Sequence, residues 1–231
     1  MSILLLEAAA AALGDLLAEV VFVGGATVEL WITDPGAPPV RPTKDVDVVV
    51  EEVTSRSAFY DFEARLRAQG FREDQEDGVI CRWRHSTTDL ILDAMPSQLG
   101  ILGFDNHWQG AGAPQATERV LPSGTVIRAL SPPYLLATKL EAFKGRGSGD
   151  FLGSRDFADI IALVDGREEL VDEVAAADQD VRQYLAHEVG LLLAAPRIAD
   201  GLFGAMRADP ASQQRAESVV LPALRSIASA A

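Results

Sequence analysis

Leu5, Leu6, Ala9, Leu13, Leu16 and Leu17 recur at helical spacing and predict an amphipathic first helix over residues 3–19. Val20-Val21-Phe22-Val23 reads as a short apolar strand, halted by Gly24-Gly25, and residues 26–32 read as a helix. Residues 33–42 hold Pro35, Gly36, Pro38, Pro39 and Pro42, which leaves only a loop. The run Asp45-Val46-Asp47-Val48-Val49-Val50 alternates and then becomes continuously β-branched, as a strand does. Residues 55–69 predict a second amphipathic helix closed by Gly70. Residues 79–84 and 88–95 predict a hairpin, its second strand ended by Pro96. A glycine-rich link then runs from about Gly100 to Pro114, followed by short strands near 118–121 and 125–129.

The pattern changes after Ser131-Pro132-Pro133. Tyr134 to Phe143 forms a strong helix, with Ser131 as its cap and prolines tolerated in the first turn. Gly145 to Asp150 is a loop, and helical periodicity dominates from there to the end of the sequence. No internal repeat is present. The order helix, strand, helix, loop, strand, helix, hairpin, then helices, predicts an α+β protein. Its mixed sheet with flanking helices occupies residues 1–130, and a helical domain occupies 131–231.

Composition narrows the function. Apolar residues make up 48% of the chain and charged residues 23%, enough for a packed core, so disorder is expected only near the ends. The net charge of −14 means that the whole-surface field does not draw in nucleic acid. An RNA would need a local basic patch, for which Lys144, Arg146 and Arg155 are the best candidates, or metal ions to offset the carboxylates. A nucleoside triphosphate is still admitted, because a divalent cation bridges carboxylates and phosphates. Cys81 is the single cysteine, which rules out an internal disulfide and makes a cytoplasmic location the expectation. No apolar run reaches the ~18 residues of a membrane span. The first residues lack a basic segment and are read as a helix rather than a signal peptide.

Three features carry chemistry. Gly24-Gly25 follows a strand and opens a helix, where a backbone without Cβ admits a phosphate and the helix N-terminus favours an anion. Asp45 and Asp47 are two apart on a strand and so point to one side, an arrangement a cation between them relieves. The other reading of the pair is a solvated strand edge. Asp93 is an acid inside an apolar strand, which calls for a partner. Asp89 shares its face by the period of two, and the pattern leaves the choice between them open. Taken together, a Gly-Gly turn, an Asp-x-Asp and a third acid on a later strand suit phosphoryl-type transfer in which three carboxylates hold two Mg²⁺ ions.

This front pattern is that of the polymerase-β-like nucleotidyltransferase superfamily. The second half carries Lys139 in Leu130-Ser131-Pro132-Pro133-Tyr134-Leu135-Leu136-Ala137-Thr138-Lys139-Leu140-Glu141-Ala142-Phe143, then Ser154-Arg155-Asp156-Phe157-Ala158-Asp159-Ile160. With these motifs the chain resembles the AbiEii/MenT-type nucleotidyltransferase toxin family over about Phe22 to Asp165. The resemblance implies the toxin of a type IV toxin–antitoxin or phage-defence system. Such an enzyme moves an NMP from an NTP to an acceptor, with tRNA 3′ ends as acceptors for some members, and has a cognate antitoxin as partner. It implies Mg²⁺ (or Mn²⁺) on Asp45, Asp47 and Asp93, with Asp93 also activating the acceptor hydroxyl. Gly24, Gly25, Thr43, Lys44 and Arg155 would bind nucleotide, Lys139 would contact the triphosphate, and Asp156 would orient Lys139 or the base. The chain departs from the superfamily in the nineteen residues between Gly25 and Asp45, an insert read as a lid or simply a longer loop.

Other readings stand beside these. Lys139, on an apolar helix, either snorkels to solvent or reaches an anion. Asp156 and Asp159 share a face three apart and also suit a helix start capped by Ser154. His85, His107 and His187 have no metal-ligand spacing, Trp83 and Trp108 suit packing more than base stacking, and Glu73-Asp74-Gln75-Glu76-Asp77 reads as a solvated turn. Two further functions fit the chain: transfer to a cationic small molecule such as an aminoglycoside, and a non-catalytic nucleotide-binding module.

Overall fold

The computed structural model describes residues 2–51, 53, 55–75, 78–98, 100–101, 106–147 and 149–230. Contacts divide the chain into two units, Met1–Leu30 with Pro42–Ser131, and Trp31–Arg41 with Pro132–Ala231.

The first unit is built on a seven-stranded mixed sheet of order β3-β4-β5-β2-β1-β7-β6 among the described residues. Its strands are β1 (Val20–Val23), β2 (Asp45–Val50), β3 (Phe71–Glu73), β4 (Arg82–His85), β5 (Ile91–Pro96), β6 (Thr117–Val120) and β7 (Val126–Ala129). Helices α1 (Ser2–Leu13), α2 (Arg56–Ala68) and α3 (His107–Gly112) flank it. The central strands are the apolar ones: every residue of β1 is fully buried, as are Val46, Val48 and Val49 of β2. Burying both faces of such a strand excludes water from its ladder, which suits its β-branched composition. Ser55 caps α2 through its side chain, which accepts from the Ala58 N–H at 3.2 Å. Phe59, Phe62 and Leu66 form the buried stripe of that helix.

Four expectations for this unit change. The first helix stops at Leu13 and continues as a 3₁₀ segment, Gly14–Glu19. Gly14 is the reason, since its φ of +55° ends α geometry. The expected hairpin forms between β4 and β5, but a third strand, β3, joins its outer side through the Phe71↔His85 pairing. Part of the glycine-rich link folds as α3, capped by Asn106 and anchored by the buried Trp108, while residues 102–105 lie outside the described residues. The acidic run is not all solvated: Asp74 is buried and holds the Arg84 Nε at 2.7 Å, and Arg67 pairs with Glu73. Glu76 and Asp77 lie outside the described residues.

The second unit is helical: α4 (Pro132–Ala142), α5 (Arg155–Gly166), α6 (Leu170–Ala176), α7 (Gln179–Ala194), α8 (Ile198–Ala205), α9 (Pro210–Arg215) and α10 (Leu221–Ala228). Helix α4 packs on α5, α6 and α7, and α10 packs on α7. Residues Pro132 to Leu140 of α4 are all buried, so this helix is the centre of the unit rather than an amphipathic surface helix. A π-helical turn, Phe143–Gly147, extends it where a loop was expected. Phe143, Phe151 and Phe157 stack on one another with ring centroids 5.0–5.4 Å apart.

The proline-rich segment belongs to this helical unit. The backbone N–H groups of Thr33 and Asp34 both donate to the Gly166 carbonyl at the end of α5, at 2.8 and 3.0 Å. Arg215 binds Asp34 and Asp165 together, at 2.6 and 2.8 Å. Gly166 lets the segment pack closely: a Cβ there would lie 2.6 Å from the Ile32 Cδ1, so that side chain would have to shift. Four prolines leave the segment few hydrogen-bond donors of its own, and these side-chain and terminal contacts hold it instead.

Candidate active site

The strand register puts the acids of the first unit in line. Antiparallel pairing of β1 with β2 sets Val23 opposite Asp47. Parallel pairing of β2 with β5 sets Asp47 opposite Asp93. Antiparallel pairing of β5 with β4 sets Asp93 opposite Arg82. Lateral neighbours in a sheet project to the same face. Arg82, Asp93 and Asp47 therefore form a row across three strands, with Asp45 on the same face one pleat along β2. Asp89, the other candidate, is exposed and precedes β5, so the third acid of the row is Asp93.

The row ends at the glycine turn. Gly24 follows directly on β1 with φ of +74°, and a Cβ there would lie 2.0 Å from Asp47 Oδ2. No side chain fits, so glycine is demanded by both backbone and space. Gly25 opens the 3₁₀ segment Gly25–Trp31. The buried Thr27 returns its hydroxyl to the Gly24 carbonyl at 2.9 Å and fixes the turn.

Arg82 is the residue that sequence reasoning missed. Its Nε donates to Asp93 Oδ1 at 2.8 Å and its Nη2 to Asp93 Oδ2 at 2.8 Å, a two-pronged clamp. The same Nη2 donates to Asp45 Oδ2 at 2.9 Å. Arg82 lies in the predicted hairpin, but only the β4/β5 register aligns it with Asp93. Asp93 is buried, whereas the Asp45 side chain is 31% exposed, so the open end of the cluster is at Asp45. Thr43 donates its hydroxyl to the Asp45 carbonyl at 3.3 Å, and Lys44 is exposed beside it.

The donor set is carboxylate oxygen alone, which is what a hard divalent cation takes. Asp45 and Asp93 share the Arg82 guanidinium, and Gly24, having no side chain, makes room for the Asp47 carboxylate in the same row. The residues therefore fit such an ion. Among the described residues no three His, Cys, Asp or Glu side chains are drawn together into a finished cage. Cys81, next in sequence to Arg82, is buried; burial, then the Asp93 and Asp47 charges, push its thiol up to about 12.

The second unit holds its own buried charges. Lys139, 7% exposed, neither snorkels nor stays free. Its Nζ lies 3.2 Å from Asp156 Oδ1 and 2.7 Å from Asp159 Oδ2. Arg41, at the end of the proline-rich segment, donates to the same Asp159 oxygen at 2.8 Å. Arg146 clamps Asp156 through Nε at 2.8 Å and Nη2 at 3.0 Å. Burial by itself would raise the Asp156 carboxyl; the Arg146 hydrogen bond and the Lys139 and Arg146 charges outweigh it and hold the group below its ordinary value. Asp159 Oδ1 and Arg41 Nε are buried without a hydrogen-bond partner among the described residues. Ser154 does cap α5, accepting from the Phe157 N–H at 3.3 Å, so the two acids serve both the helix start and Lys139. Arg155 is exposed at the first turn of α5.

The basic patch is largely spent. Arg146 is committed to Asp156, and Lys144 Nζ lies 2.7 Å from Glu188. The histidines and tryptophans pack as expected: His85 meets Phe71 edge-on, His107 meets Trp108, and Trp83 is buried beneath Arg67. No described helix is long and apolar enough to cross a membrane.

A mixed seven-stranded sheet with flanking helices is consistent with the nucleotidyltransferase fold. The family model of the nucleotidyl transferase AbiEii toxin of type IV toxin–antitoxin systems matches residues 4–224, and the chain belongs to that family. No curated protein matches it. Membership makes the chain a nucleotidyltransferase of the toxin class, with a nucleotide as substrate and an antitoxin as its counterpart.

Proposed function

We propose that this chain transfers an NMP from an NTP to an acceptor hydroxyl with the help of Mg²⁺ or Mn²⁺ held by Asp45, Asp47 and Asp93, and that the acceptor is a tRNA 3′ end. The observation that carries the reading is the alignment of Asp47 with Asp93 beside a glycine turn that has no room for a side chain. A divalent cation there would offset charge building on the phosphoryl oxygens as the acceptor oxygen bonds to the α-phosphorus and pyrophosphate leaves. Asp93 accepts the proton of the acceptor hydroxyl. Gly24 and Gly25 admit a phosphate close to the backbone, while Thr43 and Lys44 bind nucleotide. The action on tRNA is proposed from the toxin role of the family.

The test is label transfer from α-³²P-NTP to separate acceptor pools. Asp45→Ala or Asp93→Ala should abolish it, and unchanged transfer in both variants would end the reading. The net charge of −14 favours one second reading, a cationic small-molecule acceptor. Label on an aminoglycoside and none on tRNA would establish it instead. Binding of NTP with no turnover on any acceptor would mark a non-catalytic module.

A further inference from the structure

The charge row has one member that the transfer chemistry does not use. Arg82 spans two acids that differ in depth: it clamps the buried Asp93 with two hydrogen bonds and reaches the half-exposed Asp45 with one. Its guanidinium is itself mostly buried, with the side chain 15% exposed. A rigid planar fork in that position satisfies carboxylate oxygens that would otherwise repel each other. The same oxygens are the ones a divalent cation would take.

From this geometry we infer that Arg82 is a positioning residue and an internal counter-ion: it holds Asp93 and Asp45 together without metal, and gives up Asp45 when a divalent cation enters. The single bond to Asp45 is the one exchanged, because Asp45 lies at the open end and is held by one donor. Asp93 keeps its clamp, which sets the direction of its carboxylate on the sheet face. The residue would therefore weaken metal binding while keeping the metal-free cluster folded. The inference rests on the metal-dependent reading given above, and its test separates the two.

Mn²⁺ affinity is measured from the free-ion electron paramagnetic resonance signal, together with the melting temperature with and without Mn²⁺, for the full chain and for Arg82→Gln. The expected result is at least fivefold tighter Mn²⁺ binding by Arg82→Gln, a lower melting temperature without metal and a larger rise when metal is added. Equal affinity and an equal rise in both proteins would overturn the inference and leave the metal-dependent transfer intact. Absence of Mn²⁺ binding in both would overturn both. Should Arg82→Gln fail to fold even with Mn²⁺, Arg82→Lys decides. A single ammonium cannot hold both carboxylates as the fork does, so at least a twofold gain in affinity supports the exchange, and unchanged affinity refutes it.

Discussion

The two charged clusters of this protein are opposites. On the sheet acids predominate: Asp45 and Asp93 share one guanidinium, Arg82, and Asp47 stands in register beside Asp93. Among the helices, Asp156 and Asp159 meet Lys139, Arg41 and Arg146. The first is half-open at Asp45, and the second buries its lysine and both its acids. Clustered acids at an open edge invite a cation, which suits a site for chemistry. Among the helices a buried lysine and two arginines that reach in from more exposed positions hold the buried acids. Each cluster also draws on a residue from a distant part of the sequence, Arg82 on the neighbouring strand in one and Arg41 of the proline-rich segment in the other.

Substitutions can break this contrast, the largest effects first. Asp47→Asn should act mainly on activity, lowering label transfer about a thousandfold, the rate equivalent of ~4 kcal/mol. Lys139→Met should do the reverse in emphasis. It leaves Asp156 and Asp159 short of a buried counter-charge, and denaturant melts should show a loss of about 3–5 kcal/mol. If Lys139→Met melts like the parent, the helical cluster is not the electrostatic core described. Gly24→Ala falls between the two. The left-handed backbone costs about 1–2 kcal/mol, and the displaced Asp47 should cost up to ~10²-fold in transfer.

Acid titration sharpens the picture within the helical unit. Asp156 is held below its ordinary value, so its stabilising contribution is complete above the unfolded value of about 3.9 and is lost as pH falls through its lower folded value. Asp165 behaves oppositely: burial raises it despite Arg215, so its contribution is complete below about 3.9 and is lost as pH rises through its higher folded value. Urea melts from neutral to acid pH should show Asp156→Asn flattening the acid-side fall and Asp165→Asn steepening it. Curves that coincide with the parent would remove both assignments. The smallest effect belongs to the surface: Arg65 and Glu19 are both well exposed, and Arg65→Ala should change stability by less than about 1 kcal/mol.

The strands that carry the acids were legible because buried β-branched runs have few other solutions, and Asp45 with Asp47 share a face by period alone. The glycine turn was legible as a break after a strand. The choice of Asp93 over Asp89 was not, since both obey the same period and only pairing with β2 selects one. The burial of α4 was also hidden. A lysine on an apolar helix reads the same whether it reaches water or a buried acid, and the partners that decide it lie on α5 and in the proline-rich segment.

The sequence by itself determined the central strands, most of the helices and which short motifs bear acids, but not β3 or α3, because the first depend on local periodicity and backbone freedom and the others on their neighbours. Only the tertiary structure decided that Arg82, Asp93 and Asp47 stand in one row, that Gly24 makes room for Asp47, and that Arg41 joins Lys139 on Asp159. Register and packing join residues far apart in the chain, and the charge each side chain meets is set by those neighbours rather than by its own segment.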